Sequence, residues 1–219
     1  MIVKICGLKR VEDLIEALRI GSDVVGMIVG VPESPRSNTI AEARVLFEAS
    51  QGELSKRALL FRSSPFEDVS KALSELQPDV VHLCGKESPE FRSEIKTRFP
   101  DMTLWQSVGI PVDDVDDLDW VERVEDLLKE DQVGRVVLDS AKSGKTGGVG
   151  KAFPMKAVRR HLGEDCSQLI LAGGLKPDNV QERIDFLKPA GVDISSGIES
   201  QPGQKSFEQM KLFVDRARG

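Results

Sequence analysis

Two side chains can trade protons with a substrate, and each closes a short apolar run. Cys6 follows Ile2-Val3-Lys4-Ile5 and precedes Gly7, and Asp139 follows Arg135-Val136-Val137-Leu138. A carboxyl at a strand end is a general acid when burial raises its pKa; otherwise it caps a loop or accepts from a backbone N–H. A thiol is a base or nucleophile when nearby cations lower its pKa; otherwise it is a small buried hydrophobe. Lys4 is two residues before Cys6, so on a strand both point the same way, and its charge favours a thiolate. Gly173-Gly174 and Ser196-Gly197 each follow an apolar run. Glycines there let backbone N–H groups approach an anion closely, and a double glycine is seldom needed for a turn alone. Arg36, in Glu33-Ser34-Pro35-Arg36-Ser37, carries a fork for a carboxylate or phosphate, or is a solvated loop arginine. His82 and Cys84 share one side of a strand. With Cys6 they suggest a metal site lacking an evident fourth ligand, or simply filling of an interior. The stretch Ser143–Gly150 contains Gly-Lys-Thr but lacks the earlier glycine of a Walker loop, and reads as a flexible lid.

The elements that must hold these residues are short and repetitive. Strand-like runs occur at Ile2–Cys6, Val24–Val29, Arg57–Phe61, Val80–Leu83, Thr103–Ser107, Arg135–Leu138, Leu169–Ala172 and Val192–Ser195. Continuous apolar runs of this length suit strands buried on both faces of a parallel sheet. Amphipathic helical spacing fills the gaps, at Val11–Ile20, Ile40–Ala49, Phe66–Leu76, Pro89–Arg98, Leu118–Lys129, Phe153–Leu162, Pro177–Leu187 and Phe207–Ala217. Strict alternation predicts an α/β chain folded as a (β/α)8 TIM barrel, one domain over residues 1–219. A doubly wound open sheet is the alternative, but no Gly-x-Gly-x-x-Gly follows the first strand. In a barrel, function lies at the C-terminal strand ends, and the loops after strands seven and eight commonly bind phosphate. His161 falls at a helix end and reads as surface; the acidic stretch Asp113–Asp119 reads as a solvated loop.

Composition removes several classes of function. The 219 residues are 40% hydrophobic and 30% charged, and the formal net charge is −6, which argues against an electrostatic nucleic-acid binder. No run approaches the ~18 apolar residues of a membrane helix. The first residues read as a strand and not as a signal peptide. Three cysteines without CxxC spacing fit free thiols in a reducing cytoplasm. No Tyr and two Trp leave little for stacking on single-stranded nucleic acid. No exposed apolar stripe marks an oligomer interface.

The chain resembles the phosphoribosylanthranilate isomerase family of tryptophan biosynthesis along essentially its whole length. The matches are Lys4-Ile5-Cys6-Gly7 with Glu12-Asp13, Gly21–Gly26, Ser34-Pro35-Arg36, Leu138-Asp139-Ser140, Gly147–Phe153, Leu171–Leu175 with Pro177 and Asn179, and Gly191–Glu199 with Pro202-Gly203. The resemblance implies a cofactor-free, metal-free Amadori rearrangement of a phosphoribosyl aminoaldose to an aminoketose. It implies Cys6 as general base and Asp139 as general acid. Lys4, Arg36 and Gly148 would contact substrate, Arg36 on the anthranilate side, and Gly173, Gly174, Ser196 and Gly197 would hold the phosphate. The sequence departs from the family pattern at His82-Leu83-Cys84-Gly85 for Gln-Leu-His-Gly, at Phe61-Arg62-Ser63-Ser64 for a Phe-Val-Asn run, at Trp105-Gln106-Ser107, at Val149 and at Pro154-Met155. Those changes lie away from the catalytic pair and phosphate loops. They keep open a paralogue acting on another phosphorylated sugar adduct, with Arg62 and Trp105 in its pocket. A non-catalytic barrel is the third reading; it would not need the pair and the glycines.

Overall fold

The apolar runs form eight parallel strands: β1 (Ile2–Ile5), β2 (Val24–Val29), β3 (Lys56–Phe61), β4 (Val80–Leu83), β5 (Thr103–Pro111), β6 (Val133–Lys142), β7 (Leu169–Leu171) and β8 (Gly191–Ile194). The computed structural model describes residues 1–112, 118–142, 145–146, 153–163 and 166–219. Neighbouring strands pair in chain order, and the sheet closes because β1 pairs with both β2 (Lys4 opposite Val24) and β8 (Lys4 opposite Asp193). The expected (β/α)8 barrel is therefore the observed one. Helices α1 (Val11–Arg19), α2 (Ile40–Ala49), α3 (Phe66–Leu76), α4 (Pro89–Arg98), α5 (Asp119–Lys129), α6 (Met155–Leu162), α7 (Val180–Leu187) and α8 (Phe207–Arg218) follow the strands in turn.

Local chemistry starts several of the helices. Thr39 and Glu42 form a reciprocal capping box on α2. Ser88 accepts from the Phe91 amide ahead of Pro89, as the sequence leads one to expect for α4. Pro177 does not open α7; the Lys176 amide donates to Asn179 and the helix begins at Val180. The helices cover the outward residues of the strands. Val25, Leu59, Val81, Leu104 and Val136 pack there with Leu14, Leu46, Leu73 and Phe213 in one continuous core. Truncating a side chain such as the fully buried Leu73 to Ala costs about 2–5 kcal/mol.

The inward residues alternate with these, and they set the site. Val24, Ala58, Val80, Trp105, Val137 and Ile170 form a separate apolar plug inside the barrel. Two residues further along their strands stand Leu60, His82, Ser107 and Asp139, joined by Lys4 and Asp193 from β1 and β8. The strands thus change from apolar to polar as they rise toward their C-terminal ends.

Two strands are longer than their apolar runs. β5 and β6 stay paired as far as Pro111 opposite Ala141, and Lys145–Thr146 returns antiparallel against Ala141–Lys142. Asp139 consequently lies within a strand, opposite Gly109, rather than at its end. A pair of short segments, Glu199–Gln201 and Gln204–Lys205, forms a hairpin after a one-turn 3-10 helix at Ser196–Ile198. The lid expected at Ser143–Gly150 falls, apart from Lys145–Thr146, outside the described residues, as do Gly148, Val149 and residues 113–117.

Candidate active site

The mouth of the barrel holds a cavity of about 780 Å³. Its wall contains Cys6, Arg36, Asp139, Gly173, Gly174, Ser196 and Gly197, seven of the nine residues expected from the sequence. Cys6 and Asp139 stand three strands apart in a ring of eight, with β7 and β8 between them.

Lys4 corrects one expectation. Its side chain is fully buried and does not reach the wall. The ammonium donates to Asp193 Oδ2 at 2.7 Å and lies 3.4 Å from His82 Nδ1. It also lies beside the thiol. A Cβ at Gly26 would come within 3.0 Å of Cys6 Sγ and 3.3 Å of Lys4 Nζ, so β2 carries a glycine where these side chains converge. Burial alone would lower the pKa of Lys4; Asp193 first, and Cys6 when ionised, outweigh it and raise it, so the ammonium stays charged. Lys4 is thus placed beside Cys6 and Asp193 and away from the cavity wall.

Its effect on Cys6 has the expected sign but not the expected outcome. Desolvation pushes the thiol pKa up, Lys4 and Lys205 pull it down, and burial prevails. The resting group is a thiol. Asp139 is raised to about 7, first by burial and then by the nearby Asp193 carboxylate, against the Ser140 amide, Arg62 and Lys4. It therefore holds its proton about half the time at neutral pH, as a general acid should.

His82 is neutral, its pKa held well below the ordinary value by burial and by Lys4. With Lys4 donating to Nδ1, the tautomer carries its proton on Nε2 and donates to Ser107 Oγ at 2.8 Å. Cys84 Sγ lies 3.3 Å from the same hydroxyl, and burial raises its thiol pKa. Among the described residues no group of three His, Cys, Asp or Glu side chains is arranged to hold a metal. Cys6 and Cys84 pack with Ile28, Val31 and Leu60, beside His82. Trp105 does not line the cavity; it lies in the apolar plug, its ring edge-on to His82 at 6.1 Å. Arg62 does line it. His161 is half-buried, edge-on to Trp120.

Gly173 and Gly174 both have positive φ, 69° and 66°. Successive amides in this conformation can form an anion-binding concavity, and neither of these donates to a described backbone group. A Cβ on Gly173 would sit 2.5 Å from Asp139 Oδ1, so the glycine leaves room for the Asp139 carboxyl. Asn179 Nδ2 donates to Gly174 O at 3.0 Å and pins the turn. Across the cradle, Ser195 Oγ is buried without a partner.

Arg36 is held by a residue to which the sequence reading gave no role. Its Nε and Nη2 donate to Glu199 Oε1 and Oε2 at 2.7 and 2.6 Å. Glu199 also accepts from the buried Lys205 ammonium at 2.9 Å, whose backbone amide donates to Asp13. Burial opposes ionisation of Glu199, but Arg36 and Lys205 hold its pKa below the ordinary range. The signal was the Glu12-Asp13 and Glu199 of the quoted motifs; only the hairpin shows what they support.

The sequence matches the family model for N-(5'phosphoribosyl)anthranilate (PRA) isomerase over residues 3–216. It is 30% identical over 220 residues to the N-(5'-phosphoribosyl)anthranilate isomerase of Aquifex aeolicus (strain VF5), with 99% of this chain and 98% of that one covered. To the enzyme of that name from Geotalea uraniireducens (strain Rf4) it is 34% identical over 219 residues, with the same shares covered. The solved phosphoribosyl anthranilate isomerase of Thermotoga maritima superposes with a TM-score of 0.84 at 29% identity, over all of both chains. A PRAI solved in complex with reduced 1-(o-carboxyphenylamino)-1-deoxyribulose 5-phosphate gives 0.81 at 27%, again over all of both chains.

Proposed function

The chain belongs to the N-(5'-phosphoribosyl)anthranilate isomerase family, and from that premise we propose how its barrel mouth performs the isomerisation. The phosphate of the aminoaldose sits on the Gly173-Gly174 and Ser196-Gly197 amides. The ribose then lies between β1 and β6. Asp139 gives its proton to the ring oxygen as the C1–O bond breaks, leaving an open Schiff base. Cys6, as thiolate, takes the proton from C2 and the electron pair forms the enolamine. Ketonisation moves the 2-hydroxyl proton off oxygen as C1 gains a proton, giving the aminoketose with no net change in redox state. Gly148 is assigned to the substrate's surroundings on the family resemblance alone.

The carrying observation is the arrangement of Cys6 and Asp139 on either side of the β7–β8 glycine cradle, within one cavity. The raised pKa of Asp139 supports it; burial holds the Cys6 thiol above its ordinary value, and Lys4 and Lys205 pull against that rise. The three buried thiols suit a reducing cytoplasm. The test follows the fluorescence of freshly made phosphoribosyl anthranilate with the wild type, Cys6→Ala and Asp139→Asn. Turnover by the wild type, lost about 10²–10⁴-fold in each variant, is expected. A folded wild type that leaves the substrate unchanged refutes the reading and favours the paralogue.

A further inference from the structure

One buried cation lies outside the proton transfers. Lys205, on the second arm of the Glu199–Gln201 and Gln204–Lys205 hairpin, has no exposed side-chain surface. Its backbone is tied to α1, because the Lys205 amide donates to Asp13 Oδ2 at 3.1 Å. The tip of the same hairpin is seated on the β2 loop, where a Cβ at Gly203 would come within 2.8 Å of the Pro35 carbonyl. From this anchored position the ammonium donates to Glu199 Oε1 at 2.9 Å and to the Ser195 carbonyl at 3.0 Å. Glu199 already has a cation in Arg36, so charge balance alone does not call for a second one. Burying an ammonium is costly, and the bond to Ser195 is the part of its surroundings that the ion pair leaves unexplained.

Ser195 and Ser196 are joined by a trans peptide. In such a planar unit the carbonyl and the following N–H point in opposite directions. A grip on the Ser195 carbonyl therefore turns the Ser196 N–H away from Lys205. That amide and the Gly197 amide after it donate to no described backbone group. Gly197 lies so close to the Leu175 carbonyl that a Cβ would collide with it, which holds this loop against the one carrying Gly173 and Gly174. The β8 loop is thus fixed twice, by Lys205 at its first peptide and by Gly197 against the β7 loop. Amides held in a set direction before a ligand arrives are pre-organised for an anion. Lys205 itself does not line the cavity, so it acts through the peptide it holds.

We propose that Lys205 is a positioning residue, whose ammonium holds the Ser195–Ser196 peptide so that the Ser196 amide faces the substrate's phosphate. This rests on the phosphate site proposed above and adds to it the group that sets its geometry. The hairpin after β8 thereby serves the phosphate end of the substrate from a cation that the substrate never meets.

The test measures binding of reduced 1-(o-carboxyphenylamino)-1-deoxyribulose 5-phosphate and of the same compound without its phosphate, with the Ser196 and Gly173 amide signals followed by NMR. The proteins are the wild type, Lys205→Met and Lys205→Gln. In the wild type the phosphorylated compound should bind the more tightly and shift both amides downfield. Lys205→Met should bind it about 10- to 100-fold more weakly, the range of a charge-assisted hydrogen bond, and keep its affinity for the phosphate-free compound. At saturation the Ser196 shift should shrink in this variant while that of Gly173 persists. KM should rise more than kcat falls, because the pull of Lys205 on the Cys6 thiol is smaller than that of Lys4. An equal loss for both compounds would mark a general staple of the fold, and an undiminished Ser196 shift would mark charge acting at a distance. Either overturns the proposal, as does no loss at all. Should Lys205→Met not fold, Lys205→Gln, a neutral donor, decides: a several-fold loss confined to the phosphorylated compound supports the proposal, and an equal loss or none overturns it. A wild type in which neither amide responds sinks the phosphate site and Lys205 together. One that responds but leaves phosphoribosyl anthranilate unchanged sinks the isomerisation and leaves the role of Lys205 standing.

Discussion

Asp139 is held where burial and the Asp193 carboxylate both oppose its ionisation, so it titrates at about 7 rather than at 3.8. Between those values the folded protein keeps a proton that the unfolded chain has released. Stability then falls as pH rises, because the native state binds more protons than the unfolded one. The loss begins above the unfolded pKa and is complete above about 7. At about 1.36 kcal/mol per pH unit it amounts to ~4 kcal/mol, and the side chain's contact with the open cavity trims it to about 2–4 kcal/mol. Asparagine is the neutral isostere and its oxygen can still accept from the Ser140 amide. We therefore expect Asp139→Asn to be more stable than the wild type by about 2–4 kcal/mol at about pH 8, and to match it near pH 4. Urea unfolding of both proteins at the two pH values measures this, since groups common to both cancel. Turnover should meanwhile fall about 10²–10⁴-fold. An Asn variant less stable than wild type at the higher pH, or a gain independent of pH, would refute the argument that this carboxyl is kept protonated against its own preference.

Four further outcomes follow from the same geometry. Lys4→Met leaves Asp193 buried without its cation, which should cost about 3–5 kcal/mol in urea unfolding, and it should raise the Cys6 thiol further, slowing alkylation at fixed pH. An unchanged thiol titration would show that Lys4 does not act on Cys6. Glu199→Gln removes the anion shared by Arg36 and Lys205; KM should rise about tenfold with a smaller change in kcat, because the acid and base are untouched. Gly173→Ala must strain a backbone at φ 69° and crowd Asp139 Oδ1, so kcat should fall more than KM rises while the unfolding midpoint shifts by the equivalent of about 1–2 kcal/mol. The productive form needs Asp139 protonated and Cys6 ionised although Asp139 titrates lower, so kcat/KM should climb until about pH 7, run level, and decline only above the ordinary thiol range. An acid limb at ordinary carboxylate pH would contradict this assignment.

What could be read from the sequence follows from what is periodic. The strands and helices repeat at periods set by backbone geometry, and the barrel and its mouth follow from that repetition. Cys6, Asp139 and the paired glycines were legible because each stands just beyond an apolar run, where a barrel places its chemistry. The strand bounds were less so: β5 and β6 continue because their backbones remain paired past Asp139, and hydropathy does not record pairing. Lys4 was read as a cation pointing with Cys6, which is correct, but its depth depends on Asp193, 189 residues later and directly opposite in register. Glu199 and Lys205 escaped assignment for the same reason: a carboxylate shared by two cations exists only once the hairpin folds back over the β2 loop.

The departures from the family pattern acquire a direction once placed in the ring. Trp105 belongs to the apolar plug, so its change alters packing below the site and leaves the walls alone. Arg62, His82, Cys84 and Ser107 line the cavity, and they come from β3, β4 and β5 or from just beyond them. The β7–β8 cradle and the Cys6–Asp139 pair carry no such change. In the proposed binding mode, a substrate held by its phosphate on the β7–β8 glycines would meet a kept half and a substituted half of the same mouth. His82 cannot serve as a proton donor of ordinary strength, because burial and Lys4 keep it neutral and Ser107 accepts its one N–H.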